Sequence, residues 1–346
     1  MSHSNKRKKE ESPAPSSKRL KKGRSYTQHE KFWASDGNVV LQLDKTRFKV
    51  HRSRLTSQSI WFRKLFEHWE KSQASLKNGD DDPAGIFDDE DLADIADVRV
   101  DKKDGCYVYN LDTTGVKIID FEAILTTMDN GIAYYYAPPT FRAVASILRS
   151  ATIFKFEQLR DFAVRYLNEM YSDLLEDMDK PSTPEHGVHA AEAIILGRNL
   201  DMDSILKRAF YELARKSDLG TGEDEEEDEE DLIYRVDNFD LVRLARGQKR
   251  LIEAWLHAST FPALECPAEQ PCDSSRVRIQ QLDIVTQTSL TQTYRCDPIG
   301  GIQKLIEVDW YELGYCEECR ATRIRLFTEQ RENIWEEMGH WFCIDE

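Results

Sequence analysis

Six of the seven cysteines fall after residue 263, and two of them, Cys316 and Cys319, are separated by two residues. Two thiolates at that spacing can face one metal ion, and a tetrahedral zinc site needs two ligands more. The candidates are Cys266, Cys272, Cys296, His340 and Cys343. None of them forms a second Cys-x-x-Cys, so spacing alone leaves the ligand set incomplete. It favours the plainer reading, thiols that pack like small apolar groups. No cofactor is therefore expected, with zinc at Cys316 and Cys319 as the alternative. His51 has no Ser, Cys or carboxylate pattern around it in sequence, and a lone His is not an active site. A Gly-rich phosphate loop, a Gly-x-Ser-x-Gly elbow and a His-Glu-x-x-His pair are all missing from the sequence. The expectation is a chain that is not an enzyme.

Charge is unevenly placed. The chain carries -16 in total, yet residues 1–24 hold nine Lys/Arg against Glu10 and Glu11, leaving -23 for the remainder. An acidic body disfavours phosphate backbones, so nucleic acid is not an expected partner. Two basic clusters, Lys6-Arg7-Lys8-Lys9 and Lys18-Arg19-Leu20-Lys21-Lys22, lie about ten residues apart. That spacing suits a bipartite nuclear import signal, so a nuclear location is expected, with the cytoplasm as the alternative. The late, uneven cysteines argue against a secreted disulfide framework. No run approaches the roughly 18 apolar residues of a membrane span.

The elements that must carry these residues follow from periodicity. Residues 1–31 read as a disordered basic tail. Val39, Leu41 and Leu43 alternate with Asn38, Val40 and Gln42, predicting a half-buried strand. The polar pair Asp44-Lys45 predicts a tight turn into a second strand carrying Phe48 and Val50. A helix in two pieces follows, with Ser59 capping the second piece. Leu55, Phe62, Phe66 and Trp69, with Leu65 beside them, share a face. Residues 71–104 read as an acidic insertion, and Cys106 to Leu111 as a return strand. Helical stripes come next: Phe121, Ile124 and Leu125; Val144, Ile147, Leu148 and Ala151; Leu159, Phe162, Tyr166 and Met170. After a linker at 179–187, a helical region at 185–262 contains an acidic loop at 220–232. A cysteine-containing helical region, 263–346, ends the chain.

Particular residues carry a resemblance. Asp36-Gly37-Asn38-Val39-Val40-Leu41, then Phe48-Lys49-Val50-His51-Arg52, then Leu55, Ser59 and Phe62 to Phe66 resemble the start of a BTB/POZ domain. Phe121 to Leu125 with Gly131, and the helical pair at 141–171, resemble its later part. Ile60 stands where the family often has Pro, and Asp129-Asn130 occupies the region of the family's Tyr before the Gly. The tail from Ala209-Phe210-Tyr211-Glu212-Leu213 through Leu244 to Trp255, then Cys316, Cys319 and Trp335, resembles a fungal group of BTB-domain proteins. The resemblance implies an α+β fold: a BTB/POZ domain at 32–172, a short β-sheet flanked by helices, followed by a mainly helical region. It implies a non-enzymatic protein-interaction module that dimerises, and the expected nuclear location adds a transcription- or chromatin-linked role. The alternatives are an adaptor for a cullin-based ubiquitin ligase, with cullin as partner, and a zinc-binding structural protein that contacts nucleic acid. The resemblance places His51 as a structural residue at a strand-to-helix corner, and Asp36 and Arg52 as a pair near a dimer groove. Phe32 and Trp33 precede the first predicted strand, where nothing local would bury them. With Leu55, Phe62 and Phe66 they are the expected interface.

Overall fold

The computed structural model describes residues 26–78, 90–103, 105–180, 184–216, 236–260, 266, 272 and 289–344. Both basic clusters and the acidic loop at 220–232 lie outside them. The chain is mixed α+β, an N-terminal five-stranded sheet followed by a mainly helical region. Its contacts divide it into two compact units, one ending at Ile118 and the other beginning at Ile119. Among the described residues no helix is long and apolar enough to cross a membrane.

The first unit holds β1 (Thr27–Trp33), β2 (Val39–Leu43), β3 (Thr46–Val50), β4 (Arg99–Lys103) and β5 (Cys106–Asn110), in sheet order β1-β3-β2-β5-β4. The expected hairpin is there, pairing Val39 with Val50, Leu41 with Phe48 and Leu43 with Thr46. Asp44 turns it at φ 50°, a left-handed conformation that Asp adopts more readily than most residues. β2 is the central strand, however, and all five of its residues are buried rather than alternating. Gln42 tolerates this because its Oε1 accepts from Arg47 Nε and Nη2 at 3.1 and 3.0 Å.

Two expectations change in this unit. The predicted disordered tail ends earlier than residue 31, because Thr27–Trp33 forms an edge strand parallel to β3. Its sequence, TQHEKFW, has almost no apolar alternation, since an edge strand is held by backbone hydrogen bonds more than by buried side chains. The acidic insertion at 71–104 is also partly regular. α2 runs on to Asn78, residues Glu90–Asp97 form a 3-10 helix, and β4 pairs antiparallel with β5. Inside that stretch Ile95 is buried, and Asp94 accepts from Trp61 Nε1 at 3.0 Å.

The helix does come in two pieces, α1 (Arg52–Gln58) and α2 (Ile60–Asn78). Ser59 joins them in an extended conformation, and its Oγ accepts from Phe62 N at 2.9 Å. Most of the predicted face packs inward: Leu55, Phe62, Leu65 and Phe66 are buried, and Trp61 with them, while Trp69 is half-buried.

The second unit contains α3 (Ile118–Asn130), α4 (Ala133–Tyr136), α5 (Phe141–Ile153), α6 (Glu157–Met170), α7 (Pro184–Val188), α8 (Ala190–Asn199), α9 (Asp203–Ala214), α10 (Asn238–Ser259), α11 (Leu290–Thr293), α12 (Pro298–Ile306) and α13 (Glu317–Trp341). Thr140 caps α5 after Pro138-Pro139, accepting from Ala143 N. The α5 stripe is buried as expected. On α6 the fully buried positions are Ala163 and Leu167, with the expected Leu159, Phe162, Tyr166 and Met170 only partly covered. α7 begins inside the expected linker at 179–187 and runs to Val188. One continuous apolar core joins α5 to α13.

Two features bring α13 back onto the earlier helices. Gly247 on α10 lies against Phe342, and a Cβ there would sit 1.9 Å from the ring. That requirement explains the Leu-x-x-Gly segment ending at Gly247. Trp335 Nε1 donates to Asp173 O at 2.8 Å, and Arg331 pairs with Asp179 and donates to Ile299 O.

Candidate metal centre

α13 begins at a built corner. Trp310 is fully buried, donates from Nε1 to Leu305 O at 3.0 Å, and packs edge-on against Tyr315 and stacked on Phe327. The chain then turns over residues 309–314 and closes with Gly314 at φ 88°, where a side chain would be strained. Cys316 follows at once as the N-cap of α13, and Cys319 sits one turn on, on the same side of the helix. The residues on either side of Cys266 and Cys272 lie outside the described set.

Cys266, Cys272, Cys316 and Cys319 come together here, their sulfurs all within 4.8 Å of one another. Cys266 Sγ is 3.7 Å from Cys272 Sγ and 3.7 Å from Cys316 Sγ. A tetrahedral ZnS4 unit with Zn–S near 2.3 Å places its sulfurs about 3.8 Å apart. The cluster thus has the size of a single ion's sulfur shell. Cys316 N–H already donates to Cys272 Sγ at 3.2 Å, the kind of outer hydrogen bond that orients a metal-bound thiolate. The amino-terminal end of α13 adds favourable potential for negative sulfur. Burial pushes the Cys319 thiol well up, and hydrogen bonds among the neighbouring thiols push the same way. Burial also raises Cys272. Burial thus disfavours a lone thiolate, whereas a divalent cation inverts that balance and favours thiolates. Arg323, one turn beyond Cys319, lays its guanidinium over Tyr315 at 4.6 Å and Trp310 at 5.2 Å.

The incomplete ligand set read from spacing is therefore corrected. Cys266 and Cys272 are the two that lie with Cys316 and Cys319, although five residues separate them and they form no second Cys-x-x-Cys. Cys296, His340 and Cys343 do not join the cluster. Four sulfurs leave no open coordination position, which is the form of a structural rather than a catalytic site.

The expected interface residues fall differently. Phe32 is at the end of β1, not ahead of the first strand, and it is buried against His29 and Phe48. Leu55, Phe62 and Phe66 are fully buried within the chain. Side chains so placed have no area left to offer a partner, so these four hold their own core. Trp33 is half-buried and Asp36 exposed. Within the chain, Asp36 faces His51, with Oδ2 3.1 Å from Nε2, and that hydrogen bond holds its carboxyl below the usual range. His51 does stand at the corner, as the N-cap residue of α1. Arg52 pairs with Glu70 instead of Asp36 and lies over the Phe66 ring.

No protein-family model matches the chain, and searches among curated proteins and among solved structures return no match.

Proposed function

We propose that this chain is a non-enzymatic scaffold whose helical unit is closed by one structural zinc ion on Cys266, Cys272, Cys316 and Cys319. The four-sulfur cluster carries this reading. Zinc is the ion chosen because an all-sulfur tetrahedral set suits it, and sulfurs this close enclose one ion rather than a multi-iron cluster. The ion would fix the segment bearing Cys266 and Cys272 to the start of α13, across 44 residues from Cys272 to Cys316. Metal analysis of the purified chain is expected to return about one zinc per chain, bound by thiolate. A folded protein free of zinc and iron would reduce the cluster to packed thiols, and iron in place of zinc would overturn the choice of ion.

A second reading, the BTB-type interaction module, draws support from the sheet unit. The segments that carry the resemblance form one run, a hairpin into α1 and a Ser-capped α2. Homodimerisation and nuclear import belong to this reading. A two-fold dimer is its simplest assembly, and sedimentation of the full chain at micromolar concentration tests it, a monomer being the adverse result.

A further inference from the structure

We propose that Cys266 is an oxidative modification site, at which a hydroperoxide converts the zinc centre into a disulfide and expels the ion. The inference rests on the zinc reading above. Its basis is an asymmetry within the cluster. Cys266 Sγ stands 3.7 Å from two other sulfurs, Cys272 and Cys316. It is half-buried, as Cys272 and Cys316 are, whereas Cys319 is buried. An oxidant that enters from solvent therefore meets Cys266 before Cys319, and two resolving sulfurs already flank it.

The chemistry closes on these atoms. A thiolate is the nucleophilic form of cysteine, and metal binding keeps the sulfur in that form. Cys266 sulfur attacks the peroxide O–O bond. The bond breaks, sulfur gives up two electrons, and with one proton the products are a sulfenic acid and an alcohol, or water when the oxidant is hydrogen peroxide. The thiolate of Cys272 or Cys316 then attacks that sulfur. The S–OH bond breaks, hydroxide takes a proton and leaves as water, and an S–S bond forms. Two thiolates and two protons are consumed for each peroxide. The sulfurs must close from 3.7 Å to about 2.05 Å, a shift of about 1.7 Å. Two ligands are lost together, so zinc leaves in one step. With Cys272 as partner the segment comes off α13; with Cys316 it stays tied to it. A thiol reductant and zinc restore the site in either case.

The experiment uses the full chain, with its zinc content measured before any oxidant is added. A chain that holds no zinc at this stage defeats the zinc reading itself. On a zinc-loaded chain, hydrogen peroxide is titrated while a chromogenic chelator reports released zinc and non-reducing peptide mapping identifies the disulfide. The expected result is about one zinc released for every two thiols lost, with Cys266 in the disulfide and recovery on reduction. The variant Cys266→His keeps a Cys3His set that zinc accepts and removes the oxidisable sulfur, and it is expected to release zinc about tenfold more slowly. Release with a Cys316–Cys319 disulfide first, release without any disulfide, unchanged release from Cys266→His, or retention of zinc while Cys106 is oxidised would each overturn the proposal. If Cys266→His fails to take up zinc, the disulfide map of the unmodified chain decides alone.

Discussion

In the unit ending at Ile118, Phe48, Leu55, Trp61, Phe62 and Phe66 are fully buried, and all come from a stretch of 19 residues. In the unit beginning at Ile119, the core runs from Phe141 to Phe342, and its last elements are held by partners far away in sequence. Trp335 reaches Asp173, Tyr211 donates to Asp297, and Trp255 Nε1 donates to Thr291 O at 3.2 Å. The second unit also buries charge. Arg208 and Glu212 are almost fully covered and pair with each other, and Arg149 ties Asp120 to Glu192 at 2.9 and 3.0 Å. Such pairs recover their desolvation only when geometry is good, so they specify an arrangement more than they stabilise it. The first unit thus draws its aromatic core from one short stretch, with β5 and Asp94 joining it from further along the chain. The other has long-range polar ties, and it is there that four thiols gather.

Metal removal should separate the two most sharply. Structural zinc couples on the order of 10 kcal/mol of binding free energy to folding in small domains. A chelator strong enough to strip the site is expected to abolish most hydrogen-exchange protection in α12 and α13. Protection in β2, β3 and β5 should stay as it was. Equal loss in both units would show that the sheet unit depends on the metal as much as the helical unit does.

The reverse test removes an aromatic side chain. Phe62→Ala, at a fully buried position next to Trp61 and Phe66, should cost about 3–5 kcal/mol. Urea unfolding followed by exchange in the sheet unit measures it, with zinc content unchanged. A loss of zinc in this variant would mean that the sheet unit supports the metal centre.

Alkali gives a smaller effect, again in the sheet unit. Burial pushes the Tyr109 phenol up to about 12, with Arg52 nearby pulling the other way. An unfolded Tyr ionises near pH 10. Between these values the unfolded chain has lost the proton that the folded chain still holds. Tyr109's contribution is complete below pH 10 and declines as pH rises through the window. Burial pushes Tyr211 and Tyr315 up as well, so phenolate absorbance of folded Tyr109→Phe should show one late-titrating tyrosine fewer than the unmodified chain, and its stability should depend less steeply on pH in this range.

How far each region could be read in sequence follows the same division. The hairpin, the two-piece helix and the Ser59 cap are written in neighbouring residues, where period and turn chemistry act. β1 and β4 were invisible because TQHEKFW and RVDKK are edge strands whose exposed side chains carry no alternation. Cys316 and Cys319 were legible by spacing. Cys266 and Cys272 could only be candidates, since their place beside Cys316 depends on how α10 to α13 pack. Phe32, Leu55, Phe62 and Phe66, read as interface, are buried within the chain, and a rich apolar face has the same sequence signature whether its own core or a partner covers it.

The smallest expected effect compares two caps that look alike in sequence. Ser59 and Thr140 each precede a helix, and each offers a hydroxyl to the backbone N–H three residues on. Ser59 is fully buried and its bond to Phe62 N is 2.9 Å long, whereas Thr140 is exposed and its bond to Ala143 N is 3.3 Å. Removing the hydroxyl from Ser59 leaves the Phe62 N–H without its acceptor in a place water reaches poorly, so Ser59→Ala should cost about 1 kcal/mol or somewhat more. Water can replace the Thr140 hydroxyl, and Thr140→Ala should cost about 0.5 kcal/mol. Urea midpoints of the two variants measure the difference. Equal costs would show that burial does not set the strength of these caps, and that the sheet unit depends on local chemistry no more than the helical unit does.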